Sequence, residues 1–131
     1  MMPSQVPGIL SLDTETTIWN KGHHADSRNK MVCWSWASPD GTYGACRADE
    51  LDMLHTWLNH VRLVVMFNGK FDLHWLRKYG LSTLADKQIW DVQIAEFILS
   101  NQTHRFPSLN ETCERYGIQT KLDVVATGLI S

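Results

Sequence analysis

Apolar residues recur along the chain with two periods, and the switches between them mark out its elements. Residues 8–14 (GILSLDT) form a short apolar run ending on acids, the pattern of a buried central strand whose carboxyl end opens onto a site. The polar stretch from Asn20 to Lys30 reads as a loop, and Met31 to Ala37 (MVCWSWA) has strand composition. Ser38-Pro39-Asp40-Gly41 is a turn signal, and Thr42 to Arg47 then reads as the returning strand of a β-hairpin. Within Glu50 to Val61, Leu51, Leu54, Leu58 and Val61 fall at helical spacing, which predicts an amphipathic helix. Leu63 to Phe67 (LVVMF) is the most continuous β-branched and apolar run, and because a helix precedes it, parallel pairing with an earlier strand is expected.

A second helix is predicted from Asn68-Gly69, with Asn68 as N-cap, to Tyr79-Gly80, where glycine suits a C-terminal cap. Ile89-Trp90 suggests a brief extended segment before Asp91 caps a helix running through Ser100, and Ser108 to Tyr116 predicts a short helix stopped by Gly117. The order β-β-β-α-β-α-α points to an α/β fold, a mixed sheet with helices packed against it. It is not a doubly wound dinucleotide fold, since no GxGxxG follows the first strand to hold a pyrophosphate.

Composition narrows the class. With 131 residues, 44% of them hydrophobic, the chain fits one compact domain, 1–131. Net charge is −2, from 12 basic and 14 acidic residues, so no strong field favours a nucleic-acid backbone. Any such binding has to be local, through bound cations or a few placed side chains. Cys33, Cys46 and Cys113 match neither a zinc site nor a disulfide framework and read as reduced, packed thiols. The N-terminus lacks a signal-peptide pattern and no run approaches the ~18 apolar residues of a membrane span, so a soluble, intracellular protein with no membrane partner is expected.

The sharpest local chemistry is Asp13-Thr14-Glu15. A strand alternates its side chains, so the i, i+2 carboxylates project from one face, where their repulsion is relieved by a hard divalent cation. Alone, the pair reads more readily as a solvated acidic strand end without a ligand. A second acid changes the balance: in Asn68-Gly69-Lys70-Phe71-Asp72, directly after LVVMF, Asp72 falls in the first helical turn. The combination brings Asp13, Glu15 and Asp72 to one edge of one sheet.

With these residues in place, the sequence resembles the DEDD (DnaQ-like) 3′-5′ exonuclease superfamily, most closely the proofreading domains of family A DNA polymerases and related phage exonucleases. SLDTET resembles the first exonuclease motif and VVMFNGKFDLHWL the second; WDVQIAEFIL and SLNETCERYG are similar to the helices that follow. The resemblance implies a ribonuclease-H-like fold and removal of nucleotides from single-stranded DNA 3′ ends, with RNA as a second substrate, using two Mg²⁺ or Mn²⁺ ions. It implies that Asp13 bridges both metals, Glu15 holds the water-activating one and Asp72 helps place the second. Thr14, Asn68, Trp19 and Lys70 are the candidate substrate contacts, Trp19 as an aromatic in a polar loop able to stack on a base. A DNA polymerase or replication assembly is the expected partner, in the cytoplasm of a bacterium or phage-infected cell.

The family's third motif, YxxxD or HxxxxD, supplies a further acid and a water-orienting group, and neither occurs in these 131 residues. The chain therefore reads as C-terminally truncated relative to the family. Asp91 is read as a helix cap and Asp123 as part of a connecting segment; His23-His24 borders the expected groove, and His74 is expected to be packed or at the surface. The alternative readings are an incomplete exonuclease fragment that binds divalent metal or single strands without cleavage, and an interaction module without either activity.

Overall fold

In the computed structural model, residues 8–81, 83–102 and 105–119 are described, which leaves Asp123 outside the described residues. The chain divides into two compact units, Met1–Val92 and Gln93–Ser131.

The first unit is built on a five-stranded sheet: β1 Ile9–Thr16, β2 Met31–Ala37, β3 Tyr43–Arg47, β4 Leu63–Met66 and β5 Gln88–Asp91, in the order β3-β2-β1-β4-β5. β1 pairs antiparallel with β2, and β2 with β3; β4 lies parallel to both β1 and β5. The parallel pairing expected of LVVMF is therefore present, with Ile9, Leu10 and Ser11 opposite Leu63, Val64 and Val65. The segment expected to be only briefly extended is a full strand, β5, pairing from Gln88 to Asp91 along β4.

Helix α1 spans Asp52–Leu58 and α2 spans Gly69–Lys78. α1 is shorter than the apolar spacing predicted. Val61, 1% exposed, still donates its amide to the Trp57 carbonyl but already leads into β4, so its burial reflects the core rather than helix continuation. α2 closes as expected: Gly80 adopts φ 91°, its amide donates to the Arg77 carbonyl, and the Leu81 amide donates to that of Leu76. This paired closure satisfies the last carbonyls of the helix and needs a left-handed residue where glycine stands.

The core joins Leu10 and Leu12 of β1, Trp34 and Trp36 of β2, Leu54, Trp57 and Leu58 of α1, Val64 and Met66 of β4, and Trp75 and Leu76 of α2. Trp36 meets Trp57 edge-on with ring centroids 5.1 Å apart, and Trp34, Trp36, Trp57 and Trp75 are all buried. The three cysteines are free thiols.

Helix α3 runs from Val92, the last residue of the first unit, to Leu99, and α4 of the second unit runs from Leu109 to Arg115. Ser108 caps α4 by accepting from the Glu111 amide at 3.1 Å, and Gly117 at φ 69° closes it. Glu96, 6% exposed, accepts from the Tyr116 hydroxyl at 2.6 Å and faces Arg115 at 3.4 Å.

Leu10 is fully buried on the central strand. Leu10→Ala is expected to cost about 2–5 kcal/mol, read as a fall in the urea midpoint at unchanged slope. A loss below about 1 kcal/mol would contradict this placement of the core.

Candidate active site

The alternation along β1 buries Leu10, Leu12 and Thr14 on one face and leaves Asp13 and Glu15 half-buried on the other. Asp72 arrives from the first turn of α2, directly beyond the carboxyl end of β4, which lies parallel to β1. Asp72 thus lies close enough to Asp13 and Glu15 for their charges to act on it. Asp72 is 2% exposed, and its Oδ1 accepts from the Thr14 amide at 3.2 Å and the Thr14 hydroxyl at 2.5 Å.

Burial pushes the Asp72 carboxyl up to about 7; the Thr14 hydroxyl opposes that rise, the Asp13 charge adds to it, the Thr14 amide opposes it and Glu15 adds again. A buried carboxylate in the field of two others is held in an environment that disfavours its own negative charge. Among the described residues, no group of three or more His, Cys, Asp or Glu side chains is arranged to hold a metal ion. One Asp72 oxygen is committed to Thr14. In kind, however, the donor set fits: carboxylate oxygens whose mutual repulsion a hard divalent cation would relieve.

Two expectations change here. Thr14, expected among the substrate contacts, is 5% exposed and turned inward, so its hydroxyl serves Asp72. Asn68 does not cap α2 through its side chain; it sits in the left-handed region at φ 59° without a side-chain cap bond. The cap comes from Asp91 at the end of β5, whose carboxylate accepts from the Asn68 amide at 3.1 Å and the Gly69 amide at 2.8 Å. The signal for this role was an acid at a strand end, but its partner lies on another strand's connection and is invisible to local pattern.

Of the remaining candidates, Lys70 is exposed in the first turn of α2 and Trp19 is 54% exposed in the loop after β1. His74 stacks on His24 with ring centroids 4.1 Å apart, and His24 on His23 at 4.7 Å, so the three imidazoles form one surface column. Desolvation, and after it the charges of His74, His23 and Lys78, lower the His24 pKa.

Residues 2–126 match the family model described as 3′-5′ exonuclease. Among curated proteins, no sequence matches this chain. The fold is similar to that of Brucella melitensis NrnC with bound Mg²⁺, at 19% identity and a TM-score of 0.65 over 89% of this chain and 57% of that one. It is also similar to the same organism's NrnC bound to pGG, at 20% identity and a TM-score of 0.67, with 89% and 57% covered. A family B DNA polymerase from the hyperthermophilic archaeon Pyrobaculum calidifontis matches at 13% identity and a TM-score of 0.59, over 86% of this chain and 18% of that one. These likenesses establish the ribonuclease-H-like α/β fold, and the chain spans 57% of the length of the NrnC structures.

The buried acid has a consequence for stability. The folded pKa of Asp72, about 7, lies above its ordinary 3.8, so the stability this group contributes in the metal-free protein is fully present below 3.8 and is lost as pH rises through 7. Asp72→Asn keeps an acceptor for Thr14 and removes the charge. In EDTA at pH 8 it is expected to raise stability by an amount on the order of 3 kcal/mol, with little effect at pH 4. Equal melting temperatures for the two proteins at pH 8 would contradict this. Asp91→Ala removes the acceptor of two amides and is expected to cost about 1–2 kcal/mol in chemical unfolding; no change in midpoint would contradict its capping role.

Proposed function

The chain belongs to the 3′-5′ exonuclease family of the DEDD (DnaQ-like) superfamily, and on that premise we propose that it hydrolyses phosphodiester bonds at single-stranded DNA 3′ ends with two Mg²⁺ or Mn²⁺ ions. The observation that carries this reading is Asp72, a buried carboxylate raised to about 7 beside Asp13 and Glu15. In it, Asp13 would serve as ligand to both ions, Glu15 to the one that activates water, and Asp72 would help hold the other. Bound there, the ions would supply a hydroxide nucleophile at neutral pH and charge stabilisation for the leaving 3′ oxygen.

The chain's own groups position these ligands. Thr14 fixes the Asp72 carboxylate through two hydrogen bonds, and Asp91 fixes the start of the helix that carries it. Asn68 and Lys70 stand beside Asp72 in sequence, where an amide and an ammonium suit a phosphate, and Trp19 offers an aromatic face to a base. With a net charge of −2, bound cations would also replace the missing basic field. The neighbouring NrnC structures, one with Mg²⁺ and one with pGG, support metal-assisted work on nucleic acid at this fold. The reading treats residues 1–131 as one exonuclease-like domain, working in the cytoplasm with a DNA polymerase or replication assembly. Among the described residues, no helix is long and apolar enough to cross a membrane.

A second reading, binding of metal or single strand without cleavage, is favoured by one observation: one Asp72 oxygen is taken up by the two Thr14 hydrogen bonds, which leaves fewer carboxylate donors for a pair of ions. The two separate in a single assay. A 5′-labelled single-stranded oligonucleotide is expected to shorten stepwise from its 3′ end in Mn²⁺, and Asp13→Ala to slow this roughly a hundredfold or more. Full-length substrate at every protein concentration would overturn the hydrolytic reading and leave the second.

A further inference from the structure

Asn29 is 3% exposed, and its carboxamide makes four hydrogen bonds inside one loop. Its Oδ1 accepts from the Thr17 hydroxyl and the Trp19 amide, both at 2.9 Å, while its Nδ2 donates to the carbonyls of Trp19 at 2.6 Å and His23 at 3.0 Å. An asparagine side chain has two donor hydrogens and two acceptor lone pairs, so its whole capacity is spent on this loop. Thr17 and Lys30 close the base: the Thr17 amide donates to the Lys30 carbonyl, and the Lys30 amide to the Thr17 hydroxyl at 2.8 Å.

The far side of the loop is fastened to α2. Trp75 Nε1 donates to the Gly22 carbonyl at 2.9 Å, and Lys78 Nζ to that of His24 at 2.7 Å. Gly22, at φ 77°, passes so close that a β-carbon there would lie 2.9 Å from Thr16 Oγ1 and 3.2 Å from Phe71 Cζ. The loop therefore runs beside Thr16 at the end of β1 and Phe71 in the first turn of α2, the sequence neighbours of Glu15 and Asp72.

What this frame presents is an aromatic ring. Trp19 has both backbone groups bonded to Asn29, yet its residue surface is 54% exposed. The Arg28 guanidinium stands over the ring, 4.5 Å from its centroid. Arg28 is forked onto Asp26, with Nε donating to Oδ1 at 3.0 Å and Nη2 to Oδ2 at 2.7 Å. That pairing holds the Asp26 carboxyl down to about 2, so the fork persists through neutral pH. Asn20 and Lys21 sit in the left-handed region at φ 50° and 57°, conformations that persist where the surroundings over-determine them. A large ring fixed at the surface, backed by a locked cation and fully anchored at its backbone, loses little freedom when another flat ring settles on it.

We propose that Asn29 is a positioning residue, which holds Trp19, backed by Arg28, as a preformed stacking face for a base of the single strand whose 3′ end reaches the acids. The inference rests on the exonuclease reading for the nature of the strand. Asn29 itself touches no substrate; it acts through Trp19.

The test compares, by fluorescence anisotropy in EDTA at low salt, a 5′-labelled oligonucleotide with one whose 3′-terminal nucleotides lack bases. The wild type is expected to bind the base-bearing strand about tenfold tighter. That ratio should fall to near one in both Trp19→Ala and Asn29→Ala, survive in Trp19→Phe, and fall no further in the double alanine variant. Thr17→Val, which removes one bond to Asn29, carries the same test should Asn29→Ala fail to fold. A wild-type ratio in folded Asn29→Ala or Thr17→Val overturns the proposal. So does a ratio near one in the wild type; if Mn²⁺-dependent shortening sensitive to Asp13→Ala then persists, the exonuclease reading stands without it, and if shortening is also absent, that reading fails too.

Discussion

A carboxylate 2% exposed, bonded to the amide and hydroxyl of Thr14 and lying in the field of Asp13 and Glu15, constrains everything around it. Buried acids are tolerated only with hydrogen-bond partners, and Thr14 supplies both donors. For Thr14 to reach Asp72 it must stand on the buried face of β1, which places Asp13 and Glu15 on the opposite face. A slip of one residue would exchange the two sets and bury the wrong acids. α2 must likewise begin immediately after β4, which the left-handed turn at Asn68 and the Asp91 carboxylate enforce.

Much of this frame was legible because it is written in local pattern. LVVMF announced a buried strand, the i, i+2 acids announced a shared face, and Gly80 announced a helix end, each within a few residues of its element. The rest depends on contacts between distant segments. Thr14 and Asp72 are 58 residues apart, and nothing in DTE alone says that its central residue holds an acid from another helix. β5 has only four residues with alternating half-exposure, too short to stand out from an extended linker. Asn68 looked like a cap because asparagine often is one, while the structure uses its tolerance of the left-handed region instead. The bonds of Asn29 to Thr17, Trp19 and His23 gave no sequence signal at all, since the loop read simply as polar.

The same economy links charge and recognition. A chain with net charge −2 cannot rely on a basic surface to hold a strand. The two anchors proposed for it, carboxylates for cations and the Trp19 ring for a base, are both local. The loop that carries Trp19 is fastened to α2, and α2 carries Asp72, so Trp19 and Asp72 are tied to one helix.

The central claim is that Asp13, Glu15 and Asp72 form one electrostatic unit that a divalent cation completes. A Mn²⁺ titration of the thermal transition tests it most directly, since a ligand bound to the native state alone raises the midpoint with concentration. The account predicts a progressive rise for the wild-type protein and a flat response for Asp13→Ala. A flat wild-type response, or an equal rise in both proteins, would contradict it.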